Sequence, residues 1–174
     1  LLKIISGIEQ PDEGTVWLHP DIRTVLLEQE KEFSPGLTIR ESIFDIAHPV
    51  IQTVKAYEDY LESGQESPEK LAVLMEAMDL HQCWDFEKEW KQILGELGIH
   101  QWSTTLGLLS GGQRKRVALA HALIESKLYD GKCLLIMDEP TNHLDVNMIE
   151  WLEHYVTAAK VTLLLVTHDR YFLD

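Results

Sequence analysis

Short apolar runs at the start of the chain predict the end of a helix followed by two strands. The run 1–5 is followed by Gly7 and then by Pro11, which is typical of a last helical turn closed by a glycine C-cap. Two β-type runs, 15–18 and 22–27, flank a turn-forming tripeptide. We therefore expect a strand pair after the first helix. Because no initiator Met precedes the run 1–5, we also expect the beginning of that helix to be missing.

Three helical patterns fill the middle of the chain. Thr38 and Glu41 form a capping box, and the apolar residues that follow it share one helical face. That face comprises Ile43, Ile46, Ala47, Val50, Ile51 and Val54. A second helix begins at 67–69 with a proline at its first position, and a third pattern runs over 84–97 and ends at Gly98. The middle is therefore predicted to be an inserted, all-helical subdomain.

Helix and strand patterns alternate after Ser110. They predict a helix over 111–126, a strand over 133–137, a helix over 146–158 and a strand over 161–167. Both strands are nearly continuous apolar runs without alternation, as a parallel sheet covered on both faces requires. The predicted fold class is α/β, a parallel sheet with helices.

These patterns divide the chain into three predicted parts. An α/β core truncated at its N-terminus covers 1–37, a helical subdomain covers 38–109, and the remaining α/β core covers 110–174.

Charge and cysteine usage narrow the class of protein. The chain has 29 acidic and 15 basic residues and a net charge of -14, so a nucleic-acid backbone would be repelled unless basic residues cluster. The short run 114–116 is the basic cluster that the sequence offers. Cys83 and Cys133 lie far apart and form no CxxC motif, which favours a reducing, cytoplasmic location. The apolar runs are too short for a membrane helix, so no membrane insertion is expected.

A hydroxyl and two glycines stand at the start of the helix predicted after Ser110. Leu109 is followed by Ser110, Gly111, Gly112 and Gln113, where unpaired backbone N–H groups and the helix dipole favour an anion. This segment is a candidate phosphate site. The alternative is a simple helix N-cap after a loop.

Two adjacent carboxylates, Asp138 and Glu139, follow a buried strand. They lie at its carboxyl end, which is where α/β sheets bind ligands. Asp138 is a candidate magnesium ligand through water, and Glu139 is a candidate base for an attacking water. The alternative is that Asp138 ends the strand and Glu139 is solvated. Asp145, further along, is also a candidate N-cap for the next helix.

His168 and Gln29 are weaker candidates on their own. His168 follows the last strand, beside Asp138 if the strands are parallel neighbours, and could contact a γ-phosphate. The other seven histidines show no metal-ligand spacing, so they are interpreted as structural. Gln29 follows the run 22–27 and would by itself be a surface glutamine.

Taken in order, these pieces resemble the motifs of the ABC ATPase cassette, a P-loop NTPase-like fold. Gln29 resembles its Q-loop and 109–113 its signature motif. The strand ending at Asp138 and Glu139 resembles Walker B, Asp145 the D-loop and His168 the switch histidine. The segments 141–145 and 167–174 are similar to those of the ABC-F family of soluble, tandem-cassette proteins. The acidic stretch around 79–98 looks most like the first cassette of a Uup-like member.

The resemblance implies specific roles and partners. ATP and Mg²⁺ would be the ligands, with Glu139 as general base, Asp138 and Gln29 organising Mg²⁺ and water, and His168 reading the γ-phosphate. Ser110, Gly111, Gly112 and Gln113 would contact ATP held by a facing second cassette, and Asp145 would link the two sites. Family members resemble translation factors, so the resemblance also implies a ribosome partner for the parent protein.

Two departures from the family pattern set expectations for these 174 residues. The sequence contains no GxxxxGK[ST] motif, the Walker A loop, so we expect weak ATP binding and no hydrolysis by these residues alone. Strands missing from the sheet should leave an open edge and favour self-association. His121 stands where the family usually has an arginine, and the sequence assigns it no role.

Two other functions stay open at this point. The chain could instead belong to the nucleotide-binding subunit of a membrane transporter, with the helical insert docked on a membrane partner. It could also be a non-catalytic interaction module whose motifs are inherited but unused.

Overall fold

The structure is a computed structural model, and it describes residues 1–28, 31, 33–129 and 131–169. In this part of the chain the helices are α1 (Leu2–Ile5), α2 (Ile39–Phe44), α3 (Pro49–Glu62), α4 (Pro68–Leu80), α5 (Phe86–Glu96), α6 (Gly111–Lys127) and α7 (Val146–Ala158). The strands are β1 (Arg23–Leu27), β2 (Cys133–Asp138) and β3 (Thr162–Val166). A single 3₁₀ turn, Leu106–Leu108, precedes α6.

The three strands form one parallel sheet in the order β1-β2-β3. Val25 is paired with Leu135, and Leu135 is paired with Leu163. The parallel arrangement predicted from the apolar runs is therefore confirmed. Coverage of both faces holds for the central strand β2, whose residues are largely buried, but the edge strand β3 is only half-buried and is exposed at both ends.

The predicted strand at 15–18 is wrong. Those residues have no regular structure, and β1 pairs with β2 rather than with them. Val16, Trp17 and Leu18 are 46%, 77% and 37% exposed, so an apolar run alone did not provide the partner strand that a β-conformation needs.

The long helical face predicted after Thr38 is divided into two helices. The capping box is confirmed, because Thr38 accepts from the Glu41 N–H while the Glu41 carboxylate accepts from the Thr38 N–H. The helix then ends at Phe44, and α3 begins at Pro49 with His48 as its N-cap. Proline lacks an N–H and disfavours a helical residue before it, which explains the break.

The helices differ in how deeply they are buried. In α4 only Met78 is buried, and Met75 is 43% exposed. By contrast, α5 buries Trp90 and Leu94 against the core, and α6 carries nine buried residues and packs on both β1 and β2. Helix α6 is therefore the central helix, which connects the helical region to the sheet.

Gly98 closes α5 at a position that only glycine fits. Its φ is +67°, and a Cβ there would lie 2.8 Å from Met148 Cε and 2.9 Å from Arg116 Nη1. This close approach brings α5, α6 and α7 together. Within the described residues, no helix is both long enough and apolar enough to cross a membrane.

Candidate functional site

The strand-tip site consists of Asp138, Glu139, Thr167 and His168, at the carboxyl edge of the sheet. Asp138 is the last residue of β2 and is paired with Val166, the last residue of β3. Because the strands are parallel, the residues that follow both of them emerge at the same edge. The structure thus brings Asp138, Glu139 and His168 together, as the strand pattern predicts.

Glu139 has an unusual backbone conformation. Its φ is +49°, in the left-handed region that a non-glycine residue rarely adopts. The conformation is held by its N–H, which donates to the Val166 carbonyl at 2.8 Å. Such conformations cost on the order of 1 kcal/mol and are concentrated at functional sites.

The Glu139 carboxylate is held through one oxygen only. Its Oε2 accepts from the His168 N–H at 3.2 Å and lies 3.5 Å from the Thr167 hydroxyl. Its Oε1 is buried and has no hydrogen-bond partner, and His168 Nε2 lies 3.6 Å away. A buried carboxylate oxygen without a partner is uncommon, and here it can accept a proton or a hydrogen bond from a ligand.

The imidazole of His168 points into solvent. Its side chain is 97% exposed, whereas that of Glu139 is 14% exposed. The backbone of His168 therefore orients Glu139, while its ring can contact a group arriving from outside the sheet.

A cavity of about 150 Å³ opens beside the acids. Its lining includes Asp138 and Glu139 on the sheet side and Lys115 and Arg116 from α6. This volume is smaller than the roughly 300–1,000 Å³ of typical ligand pockets. The cavity formed by the described residues is therefore too small by itself to enclose a ligand of nucleotide size.

The start of α6 has the predicted capping geometry. The Gln113 N–H donates to Ser110 Oγ at 3.2 Å, and the Ser110 N–H donates to Gln113 Oε1 at 2.9 Å. Ser110, Gly111 and Gln113 are exposed and do not line the cavity described above. The N-cap alternative is thus confirmed as a structural role, and the ligand role of this segment stays a prediction.

Loop residues connect the start of α6 to the strand-tip site. His143 Nε2 lies 3.1 Å from Lys115 Nζ, and a Cβ added to Gly112 would lie 3.7 Å from the His143 Cβ. His143 follows Glu139 in a loop that ends at Asp145.

The Asp145 carboxylate accepts from the Met148 N–H at 3.0 Å and caps α7, as predicted. Gln29 lies outside the described residues.

Magnesium ligation rests on one carboxylate here. No group of three or more His, Cys, Asp or Glu side chains in the described part of the chain could hold a metal ion. A magnesium ion bound with a nucleotide takes only one or two carboxylates, the other ligands being phosphates and waters. Asp138, which lines the cavity, fits this donor set.

A larger cavity, of about 400 Å³, lies at the opposite edge of the sheet. Its lining includes Lys127, Gly131, Tyr155 and Val161, so it adjoins the amino ends of β2 and β3. Burial, with the nearby Glu89 charge, raises the pKa of Tyr155 to about 12, so this phenol stays protonated. Parallel sheets bind ligands at their carboxyl ends, and the acid pair lies there too, so the strand-tip site is the better candidate.

Sequence reasoning missed Thr167, Lys115 and Arg116 as residues of the site. Thr167 lies in the segment quoted for the resemblance, but only the structure places its hydroxyl near Glu139. The basic run 114–116 was visible in the sequence, one turn after the predicted start of α6. That run was the signal that could have identified Lys115 and Arg116.

Comparisons with known proteins agree on one family. A protein-family profile described as ABC transporter matches residues 1–142. The chain is 38% identical over 180 residues to the uncharacterized ABC transporter ATP-binding protein YfmR of Bacillus subtilis (strain 168), covering 100% of this chain and 28% of that protein. It is 34% identical over 182 residues to the energy-dependent translational throttle protein EttA of Escherichia coli (strain K12), covering 100% of this chain and 32% of that protein. The chain thus spans about three tenths of the length of these relatives.

Solved structures give the same fold. The ATP-binding subunit of an ABC transporter superposes with a TM-score of 0.62 at 19% identity, covering 96% of this chain and 61% of that one. The ATP-binding cassette MJ0796, solved as a post-hydrolysis dimer bound to ADP and phosphate, gives a TM-score of 0.56 at 21% identity, covering 98% and 69%. The α/β fold predicted from the sequence is therefore that of an ABC ATPase cassette.

Proposed function

The chain belongs to the ABC transporter family of ATP-binding proteins, and we propose that these residues form part of a cassette that binds and hydrolyses ATP. The observation that carries the proposal is the Glu139 carboxylate, which is fixed through Oε2 while its buried Oε1 lacks a partner. An oriented acceptor at the edge of a parallel sheet suits the removal of a proton from water.

The proposed chemistry uses the strand-tip site in steps that its own atoms support. Glu139 takes a proton from the water that attacks the γ-phosphate of ATP. The bond between the γ-phosphorus and the β–γ bridging oxygen breaks, so ADP leaves and inorganic phosphate forms. The exposed ring of His168 contacts the γ-phosphate and orients it. Asp138 and Gln29 would hold Mg²⁺, partly through water, and the ion would supply positive charge that offsets the charge of the phosphates.

We propose that the exposed start of α6 acts on a second cassette. Ser110, Gly111, Gly112 and Gln113 present a helix N-terminus, which favours a phosphate group. The small cavity beside the acids supports this, because a nucleotide needs further walls. Asp145 would link the two sites through the loop that begins at Glu139.

Within the family we propose an ABC-F type, cytoplasmic protein whose parent chain associates with the ribosome. The support is the similarity to EttA and the segments 141–145 and 167–174 of the sequence. Sedimentation of the full natural chain with ribosomes tests this assignment. Co-purification with an integral membrane protein instead would favour a transporter subunit.

The decisive experiment is Glu139→Gln in the full natural chain that contains these residues. We expect steady-state hydrolysis of MgATP to fall by about 10²–10⁴-fold, the usual contribution of a general base, while ATP affinity is retained. Glu76→Gln, the same change on an exposed position of α4, is the matched control and should leave hydrolysis unchanged. Wild-type hydrolysis by Glu139→Gln would overturn the role of this residue.

We also propose that the 174 residues by themselves bind ATP weakly, since they contain no GxxxxGK[ST] motif. Titration of the 174-residue chain with ATP by calorimetry tests this. Binding in the micromolar range would contradict it.

A further inference from the structure

A partly buried polar cluster, the histidine junction, lies away from the strand tips. It consists of Lys31, Ser42, His121 and Glu125. His121 belongs to α6 and is only 8% exposed. Its Nδ1 lies 2.8 Å from Lys31 Nζ, and its Nε2 lies 3.1 Å from the Ser42 carbonyl oxygen. The His121 side chain thus contacts two segments that lie 90 and 79 residues before it in the sequence.

The partners fix the protonation state of the ring. The Lys31 ammonium can only donate, so Nδ1 accepts, and the Ser42 carbonyl can only accept, so Nε2–H donates. His121 is therefore the neutral Nε2–H tautomer. Burial, aided by the charge of Lys31, lowers the pKa of His121 to about 3, so the ring stays neutral at physiological pH.

Lys31 is held from several sides. Its ammonium lies 5.4 Å from the centre of the Phe33 ring, and the charges of Glu125 and Glu28 oppose the effect of burial, which lowers the pKa of the lysine. Glu125 is on α6, and its carboxylate lies 3.9 Å from His121 Nδ1. The lysine is therefore a half-buried side chain whose hydrogen-bond partner on α6 is His121.

The junction joins three segments that bear on the proposed site. Lys31 belongs to the segment that follows β1, and it is two residues beyond Gln29 in the sequence. Ser42 lies in α2, the first helix of the helical region. His121 lies on the helix that begins beside Ser110 and packs on β1 and β2.

We propose that His121 is a positioning residue for ATP hydrolysis, which fixes the segment after β1, through Lys31, relative to α2 and α6. This inference rests on the proposed function. It goes beyond the roles of the strand-tip residues, because His121 acts through Lys31 and does not line the cavity beside the acids. The simpler reading, a core histidine that only stabilises the fold, makes different predictions for matched variants.

Three substitutions of His121 separate its two contacts. His121→Asn keeps an acceptor near the position of Nδ1 but loses the donor to Ser42. His121→Gln keeps a donor near the position of Nε2 but loses the acceptor for Lys31, and His121→Leu loses both. Ser126→Ala is the control, since Ser126 is a buried residue of the same helix whose hydroxyl bonds only locally, to Leu123.

Kinetics of MgATP hydrolysis in the full natural chain are the first measurement. We expect His121→Gln and His121→Leu to lower kcat by about tenfold to a hundredfold with little change in KM, because a slightly misplaced segment costs rate. His121→Asn should lose less, and in a Lys31→Met background His121→Gln should have no further effect. Equal losses of kcat in His121→Asn and His121→Gln would overturn the proposal. It would also be overturned if the loss of kcat followed the loss of melting temperature in every variant, including Ser126→Ala.

Hydrogen exchange of the same chain without nucleotide is the second measurement. We expect amides of β1, the strand that leads into Lys31, to exchange at least about tenfold faster in His121→Gln and in Lys31→Met, the effect of losing a hydrogen bond to a charged group, and to remain as in wild type in Ser126→Ala. Unchanged exchange would overturn the inference. If the wild-type chain had no ATPase activity, the proposed function would be contradicted. The exchange measurement would still test the role of His121, because it needs no hydrolysis.

Discussion

The strand-tip site and the histidine junction both bury polar side chains, but they differ in how completely those side chains are satisfied. In the junction both ring nitrogens of His121 have protein partners. In the strand-tip site one oxygen of Glu139 has no partner, its backbone adopts a left-handed conformation, and the ring of His168 is almost fully exposed. A satisfied cluster stabilises one arrangement, whereas an unsatisfied one leaves bonding capacity for a ligand. The predictions below test this difference through the free energy of unfolding, measured by urea denaturation at pH 7 unless stated.

The largest effect is expected for His121→Arg, the residue usual in the family. A permanent cation would then face the Lys31 ammonium in a partly buried setting, and we expect a loss of about 3 kcal/mol, because the Glu125 carboxylate offsets only part of the repulsion between the two cations. Lys31→Met should recover most of that loss when combined with His121→Arg. Failure of the double variant to recover stability would show that the two side chains are not in contact.

Acidification should destabilise the junction by a similar mechanism. The pKa of His121 is about 3 in the folded chain against an ordinary value of 6.5, so below pH 6.5 the unfolded chain binds a proton that the folded chain does not. Stability should therefore fall as pH falls, by about 2 kcal/mol between pH 7 and pH 5 from this group. Burial raises the pKa of Glu125, which acts in the opposite direction. The difference between wild type and His121→Gln isolates the histidine, and identical pH profiles would contradict the assignment.

A smaller effect is expected for Asp145, which serves both structure and the proposed function. Asp145→Ala removes the cap of α7 and should cost about 1 kcal/mol. Asp145→Asn retains a capping oxygen, so it should be nearly as stable as wild type. If hydrolysis in the full natural chain falls in the Asn variant as well, the carboxylate has a role beyond capping.

The smallest effects are expected at the strand-tip site. Glu139→Gln and His168→Ala should each change stability by less than about 0.5 kcal/mol, because the first removes a poorly satisfied charge and the second an exposed ring. A loss of 2 kcal/mol in either variant would show that the strand-tip site is as structural as the junction, and the contrast between the two regions would disappear.

Sequence patterns predicted the elements whose causes are local. The sequence predicted helix starts at Thr38, Ser67, Ser110 and Asp145, and each is an N-cap in the structure. An N-cap depends on residues within one turn, so a local pattern is enough to predict it. The same holds for β2, whose apolar run and terminal acids are contiguous. The apolar pattern wrongly predicted a strand at 15–18, where the run has no partner strand. It also wrongly predicted one continuous helical face across 45–48, where a proline divides that face between two helices.

Alone, the sequence determined the parallel α/β fold, the acid pair at a strand end and the capped helix start at Ser110, since periodicity and capping act over a few residues. Only the tertiary structure decided that β1 pairs with β2, that Thr167 and His168 orient Glu139, and that His121 joins Lys31 to Ser42. The physical reason is that these contacts join residues far apart in the chain, whose proximity results from packing α6 against the sheet and the helices. No local pattern records which distant group will satisfy a buried polar atom.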